Sequence, residues 1–248
     1  MDYYNNDQCR DFRHGFDDKT FEKLKESLPE KVEFTYFDIK RYWIANKGDF
    51  NNTLRHITET LNWRREIGYD DIHNEDFTDV LKTGELFFHK TALDGSTVLV
   101  WRSCKHIPGL IQREREARFF VWMVAKADRA GLLRNKFTLL FDRTAATRAN
   151  ADLGLARVIL PVFQRHFPEC LERVLVYPTS FFLNSLWCCV KPFLEPIVRQ
   201  KVYFWKEYDY LDNIKRFVEP NHLKWNSLEK FDDPSGIQTV LAIYDQET

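Results

Sequence analysis

Between residues 137 and 177 the chain reads as strand, helix, strand, and this constrains the fold more than any other feature. FTLLF (137–141) is a short apolar run ending at Asp142, and ERVLVY (172–177) is a second one stopped by Pro178. Between them Asp152 can cap a helix that carries Leu155, Val158, Ile159, Val162 and Phe163 at helical spacing. Pro161 lies inside that helix, removes one hydrogen bond and predicts a kink. Two strands joined through a helix pair in parallel with a right-handed crossover. A further helix, from Gln112 to Ala130, puts Ala117, Phe120, Val121 and Val124 on one face and supplies another crossover. Upstream, GELFFHK (84–90) and TVLVW (97–101) flank a turn at Asp94-Gly95 and predict a hairpin. The expected class is therefore α/β with a mostly parallel sheet and flanking helices.

The first third has helical rhythm instead. Phe21, Leu24 and Leu28 repeat up to Pro29. Thr35 can cap a helix bearing Tyr36, Ile39 and Trp43, which ends at Gly48. A third helix runs from about Asn52 to Ile67, with Leu54, Ile57 and Leu61 in its stripe and Gly68 closing it. The domain reading is a helical N-terminal lobe over 1–75, an α/β lobe over 76–225 and a C-terminal tail over 226–248. A helix from about Leu211 ends near Pro220, and the tail contains one more apolar run, TVLAIY (239–244).

Several function classes are disfavoured. A formal net charge of −1 is not that of a nucleic-acid binder. The five cysteines form no Cys-x-x-Cys pair, so neither a disulfide framework nor a cysteine metal site is expected. The polar, acidic start MDYYNNDQCR is no signal peptide, and the expected location is the cytoplasm. No glycine-rich dinucleotide loop, phosphate loop, Gly-x-Ser-x-Gly or His-Glu-x-x-His is present. No catalytic residue, cofactor or metal ligand is assigned, and the chain is not expected to be an enzyme. Asp142 at a strand end reads as a turn cap, and His89 and His106, which flank the hairpin, read as ordinary hydrogen-bonding histidines.

One stretch resists a bland assignment. SLWCCVKPFLEPIVRQKVYFW (185–205) is dominated by large apolar residues, yet two prolines and three cations interrupt it. The longest charge-free run near it, Val174 to Val190, is shorter than the roughly 20 residues a membrane-spanning helix needs. With Pro192 and Pro196 at the starts of short helical turns, Phe193, Leu194, Ile197 and Val198 share one face, Glu195, Arg199 and Gln200 the other, and VYFW (202–205) forms a strand. The segment reads either as a core-packing helix or as a gate over an apolar cavity. In the second case Lys191, Arg199 and Lys201 would meet anionic headgroups at a membrane surface.

HFPECLERVLVYPTSFFLNSLWCCVKPFLEPIVRQKVYF (166–204) resembles the CRAL-TRIO lipid-binding domain family. The matching features are Pro168-Glu169 after an aromatic residue, Pro178 after a strand, Phe182-Leu183-Asn184 with Trp187, the block Lys191 to Pro196, and Lys201-Val202. FTLLFD (137–142) and LNWRREIG (61–68) are similar to the family's strand ending in aspartate and to the end of its third helix. The latter, with residues 84–102, is also similar to the lipid-binding domain of motile-sperm-domain-containing proteins.

The resemblance implies a cavity closed by a helical gate at residues 192–201. It implies one hydrophobic lipid ligand, a phospholipid such as phosphatidylinositol, exchanged at membranes. Phe137, Leu139, Phe141, Phe163, Phe167, Phe193, Ile197 and Phe204 are candidate walls. Glu169 and Lys201 stand where phosphatidylinositol binders carry headgroup residues: a carboxylate can accept inositol hydroxyls and a lysine can pair with phosphate. The chain also departs from the family. Val198 replaces a nearby hydroxyl-bearing residue, Ile44 and Asn46 fall where arginines are common, and Asp142-Arg143-Thr144-Ala145 lacks a glycine after the strand. The alternative is an interaction or lipid-sensing module of the same fold that docks a protein partner.

Overall fold

A computed structural model describes residues 15–29, 34–206 and 208–219. The tail 226–248, with its TVLAIY run, lies outside the described residues, as does Cys9. The chain divides into two compact units, residues 1–72 with 165–170, and residues 73–164 with 171–248. The inclusion of 165–170 in the helical unit has no signal in the linear pattern.

The helical unit holds α1 (Asp18–Ser27), α2 (Tyr36–Ala45) and α3 (Phe50–Ile67). Their starts follow from capping side chains. Asp17 accepts from Thr20 N, Thr35 and Asp38 form a reciprocal capping box, and Asp49 accepts from Asn52 N. Asp49 thereby begins α3 two residues before the start expected at Asn52. Gly68, with φ of 63°, ends it in a left-handed conformation that suits glycine. The buried stripes of the three helices meet in one cluster of Leu24, Leu28, Phe34, Ile39, Tyr42, Trp43, Ile57 and Leu61.

Residues 165–170 are tied into this unit by polar and aromatic contacts. Tyr42 donates its hydroxyl to the His166 carbonyl at 3.0 Å, and the His166 ring stacks on Trp63 at 4.1 Å with 2° between planes. Phe167 packs edge-on to Trp63 and tilted against Tyr69. Arg64 lies over the rings of Phe34 and Tyr69. Trp63 and Arg64, within the LNWRREIG stretch, thus have a structural role: Trp63 receives the 165–170 segment and Arg64 covers the neighbouring aromatics.

The second unit contains α4 (Thr78–Leu81), β1 (Leu86–Thr91), β2 (Thr97–Arg102), α5 (Arg113–Arg129) and β3 (Phe137–Asp142). These are followed by α6 (Leu153–His166), whose last two residues count with the helical unit, and β4 (Leu171–Tyr177). Then come α7 (Phe181–Val190), α8 (Pro196–Gln200), β5 (Val202–Phe204) and α9 (Tyr210–Ile214). The five strands lie in the order β1-β2-β3-β4-β5. β1 and β2 form the expected antiparallel hairpin, and the other pairs are parallel. Leu155 N donates to the Asp152 carboxylate at 2.8 Å, so Asp152 caps α6 as read from the sequence.

One face of the sheet carries a buried core. Phe87, Val98, Val100, Leu140, Leu175 and Tyr177 meet Ile214 and Val218 in a single buried cluster. The other face positions the candidate site.

Candidate functional site

Side chains alternate across a strand, and residues in register on neighbouring strands share a face. Two rows on the second face follow directly. Leu99, Leu139, Val174 and Val202 make one, and Trp101, Phe141, Val176 and Phe204 make the other. Both rows are apolar from end to end. At the β2 end Leu99 is buried, and half-buried Trp101 meets Phe120 of α5 at 4.9 Å and Phe141 at 5.1 Å. At the β5 end Trp187 of α7 meets Phe204 at 5.1 Å.

Between these ends the packing is incomplete. Within β3, Leu140 is wholly buried, whereas its neighbours Leu139 and Phe141 are only half-buried. Val174, Val202 and Phe204 are half-buried as well, with Val176 buried between them; on the opposite face Leu175 has no exposure and Tyr203, at the β5 edge, is exposed. Leu139, Phe141, Val174, Val202 and Phe204 on the second face are thus less completely covered than Leu140 and Leu175 on the opposite one. The second face therefore carries a band of apolar surface that the protein's own side chains cover only in part.

The covering segment is built as its sequence suggests. Ser180 caps α7, Pro192 and Pro196 sit at the starts of a short 3₁₀ turn (Lys191–Phe193) and of α8, and Leu194 between them is buried. Gln164, on α6, clamps this turn from both sides. Its side-chain amide donates to the Phe193 carbonyl at 2.8 Å and accepts from Glu195 N at 2.7 Å. Arg199 donates to the Leu194 carbonyl at 2.8 Å, and Lys201 donates to the Leu171 carbonyl at 2.7 Å.

The sequence-derived candidates distribute as follows. Leu139, Phe141 and Phe204 come together on the second face. Phe137 continues that face of β3 at its buried end, at the point where the β3–β4 register shifts. Ile197 on α8 and Phe163 on α6 are half-buried. Phe193 is 43% exposed, with the Arg157 guanidinium over its ring. Phe167 belongs to the helical unit, against Trp63 and Tyr69. Lys191 is exposed, and Arg199 is half-buried against its own turn. Glu169 lies in the helical unit with φ of 56°, and Lys201 lies in the α/β unit. Sequence reasoning missed Val176 as a row member and Gln164 as the clamp. Val176 was available from strand alternation. Gln164 meets partners about thirty residues away, and no local pattern marks it.

Comparison with known proteins now decides the family. Residues 81–226, more than half of the chain, match the CRAL/TRIO domain. The chain belongs to the CRAL/TRIO domain family. A CRAL-TRIO domain-containing protein of Schizosaccharomyces pombe, C3H8.02, is 26% identical over 89% of this chain and 54% of its own length. The phosphatidylinositol transfer protein CSR1 of Eremothecium gossypii is 23% identical over 67% of this chain and 41% of its own. The chain thus spans about half, or less, of these two CRAL/TRIO relatives. The crystal structure of Sfh5 superposes with a TM-score of 0.68 at 13% identity, covering 92% of this chain and 96% of that one, and so shares its fold. Among the described residues no helix is long and apolar enough to cross a membrane.

Proposed function

We propose that this CRAL/TRIO domain holds one phospholipid, of the phosphatidylinositol class, against the second face of its sheet and exchanges it at membrane surfaces. The observation that carries this reading is the unequal burial of Leu139 and Phe141 against Leu140 within one strand. An acyl chain laid along the two apolar rows would complete their burial, at about 0.8 kcal/mol for each CH₂ removed from water. That gain is what lets a protein compete with a bilayer for a lipid.

The segment from α7 to α8 is the gate in this reading. Its turns are short and proline-bounded, and the clamp from Gln164 joins it to α6 through two hydrogen bonds that can break and re-form. Lys191, exposed on the turn, would meet anionic headgroups when the gate opens. Lys201, held by the Leu171 carbonyl, would pair with the lipid phosphate. The name of the relative CSR1 agrees with the ligand class. The protein would work in the cytosol as a lipid carrier, with no covalent chemistry.

The test is a vesicle transfer assay on the purified chain, with Lys201→Ala alongside. Wild-type protein should move phosphatidylinositol between vesicles. The variant should lose about tenfold for phosphatidylinositol, as expected when a charge-assisted pair is removed, and far less for phosphatidylcholine. Equal loss for both lipids would remove Lys201 from the headgroup site, and no transfer of either by wild type would remove the carrier reading. Glu169→Gln, measured separately, tests the acceptor role for inositol hydroxyls.

A further inference from the structure

Beside the β2 end of the second face, three donor atoms from three elements converge in the interior of the α/β unit. Glu85 immediately precedes β1, His106 follows the turn after β2, and Glu116 lies in the first turn of α5. The antiparallel hairpin brings the first two together, with Arg102 N donating to the Glu85 carbonyl at 2.7 Å. All three side chains are buried, at 5%, 3% and 4% exposure. Their ligating atoms lie within 4.8 Å of one another.

We propose that Glu85, His106 and Glu116 form a binding site for a single divalent transition-metal ion, with zinc as the best match to one imidazole and two carboxylates. The first argument is geometric. His106 Nδ1 stands 2.8 Å from a Glu116 oxygen and 3.1 Å from a Glu85 oxygen. Both carboxylates thus lie at hydrogen-bond distance from Nδ1 of one ring, which carries at most a single N–H there, and Nε2 makes no hydrogen bond. Donors that bind a common ion at about 2.0–2.2 Å sit about 3.3 Å from each other with their lone pairs aimed at a shared point, not at one another. Of the two distances here, 3.1 Å lies close to that value and 2.8 Å is shorter, the length of a charge-assisted hydrogen bond.

The second argument is charge. Among the described residues no lysine or arginine pairs with Glu85 or Glu116, and His106 is their one cationic partner. Two buried carboxylates sharing one imidazole leave negative charge uncompensated in a poorly solvated place. A divalent ion with a neutral imidazole balances it.

The third argument is the surrounding support. Metal-bound imidazoles commonly turn their other nitrogen towards a carboxylate, and the ligating carboxylates are themselves hydrogen-bonded. Here His106 Nε2 faces Asp152 at 3.7 Å, and Trp101 donates its indole N–H to Glu85 at 2.8 Å. Asn150 holds the His106 carbonyl at 2.9 Å. The rival occupant of the site is a proton. Burial opposes charge on the ring, but the Glu116 and Glu85 carboxylates outweigh it and raise the His106 pKa to about 10.

The experiment uses the full chain, stripped of metal and titrated with Co²⁺ and then Zn²⁺ at pH 7.5. The expected result is one Co²⁺ per chain with visible d–d bands, displaced by Zn²⁺. X-ray absorption at the zinc edge should give a nitrogen and oxygen shell with an imidazole signature and no sulfur. Trp101→Phe, which keeps an aromatic ring and removes the indole donor, should weaken Zn²⁺ binding about tenfold. Glu116→Gln should abolish uptake. No Co²⁺ uptake by wild type, a sulfur shell, or a doubly protonated His106 ring by ¹⁵N NMR in excess Zn²⁺ would each overturn the proposal.

Discussion

Trp187 of α7 meets Phe204 of β5 at 5.1 Å between ring centroids, with 64° between the ring planes, and so sets α7 on the last strand of the sheet. Tilted aromatic pairs of this kind are worth about 0.5–1.5 kcal/mol beyond area burial. If this contact holds the cover down, Trp187→Ala should speed the release of a fluorescent phospholipid analogue by about three- to tenfold, in line with that energy. Trp187→Phe should restore most of the retention. Stopped-flow release after dilution into acceptor vesicles measures both.

Gln164 is the second fastening. Each of its hydrogen bonds to the 193–195 backbone contributes about 1 kcal/mol at most, less here because the site is partly exposed. Gln164→Ala should therefore raise hydrogen exchange at the Glu195 amide while leaving amides in β3 and β4 protected. Unchanged exchange at Glu195 would mean that the turn is held without the clamp.

His166 makes stability depend on pH. Burial against Trp63, helped by the charges of Arg165, His56 and Arg64, lowers its pKa from 6.5 to about 4. The unfolded chain then takes up the proton first as pH falls. The contribution to stability is complete above pH 6.5 and is lost progressively from there down to about pH 4. It amounts to up to about 3 kcal/mol by linkage, before discounting for solvent screening. Urea melts at pH 7.5, 6 and 5 should show falling midpoints in wild type and a flatter dependence in His166→Gln. A decline of equal steepness in both would assign it to other groups.

Much of this architecture could be read from the chain. The strand–helix–strand pattern between 137 and 177, the Asp152 cap, the Asp94-Gly95 hairpin and the two proline-led turns each rest on local rules of spacing and backbone geometry, and each appears where expected. What could not be read depends on long-range meetings. Residues 165–170 join the helical unit because Trp63 offers His166 a stacking face about a hundred residues away. Gln164 clamps a turn thirty residues downstream. Glu85, His106 and Glu116 converge only after the hairpin has formed. Strand alternation placed Leu139 and Phe141 on one face, but their incomplete burial is a property of packing, which periodicity does not report.

The two faces of β3 should respond oppositely to mutation. Leu140→Ala opens a cavity in a filled core and should cost about 2–5 kcal/mol. Leu139→Trp enlarges a side chain on the partly covered face. In a packed core that change costs about 1–3 kcal/mol; here it should cost less than about 1 kcal/mol. Chemical denaturation of the two variants against wild type measures the contrast.

Lipid content per chain tests the lipid-binding reading most directly. After incubation with phosphatidylinositol vesicles and re-isolation, native mass spectrometry of wild-type protein should find one phospholipid per chain. The double variant Leu139→Trp/Phe141→Trp should have lost most of it while remaining folded, and Leu140→Ala should keep it. A wild-type chain that emerges lipid-free, or a double variant that carries as much lipid as wild type, would contradict the assignment of this sheet face as the ligand's seat.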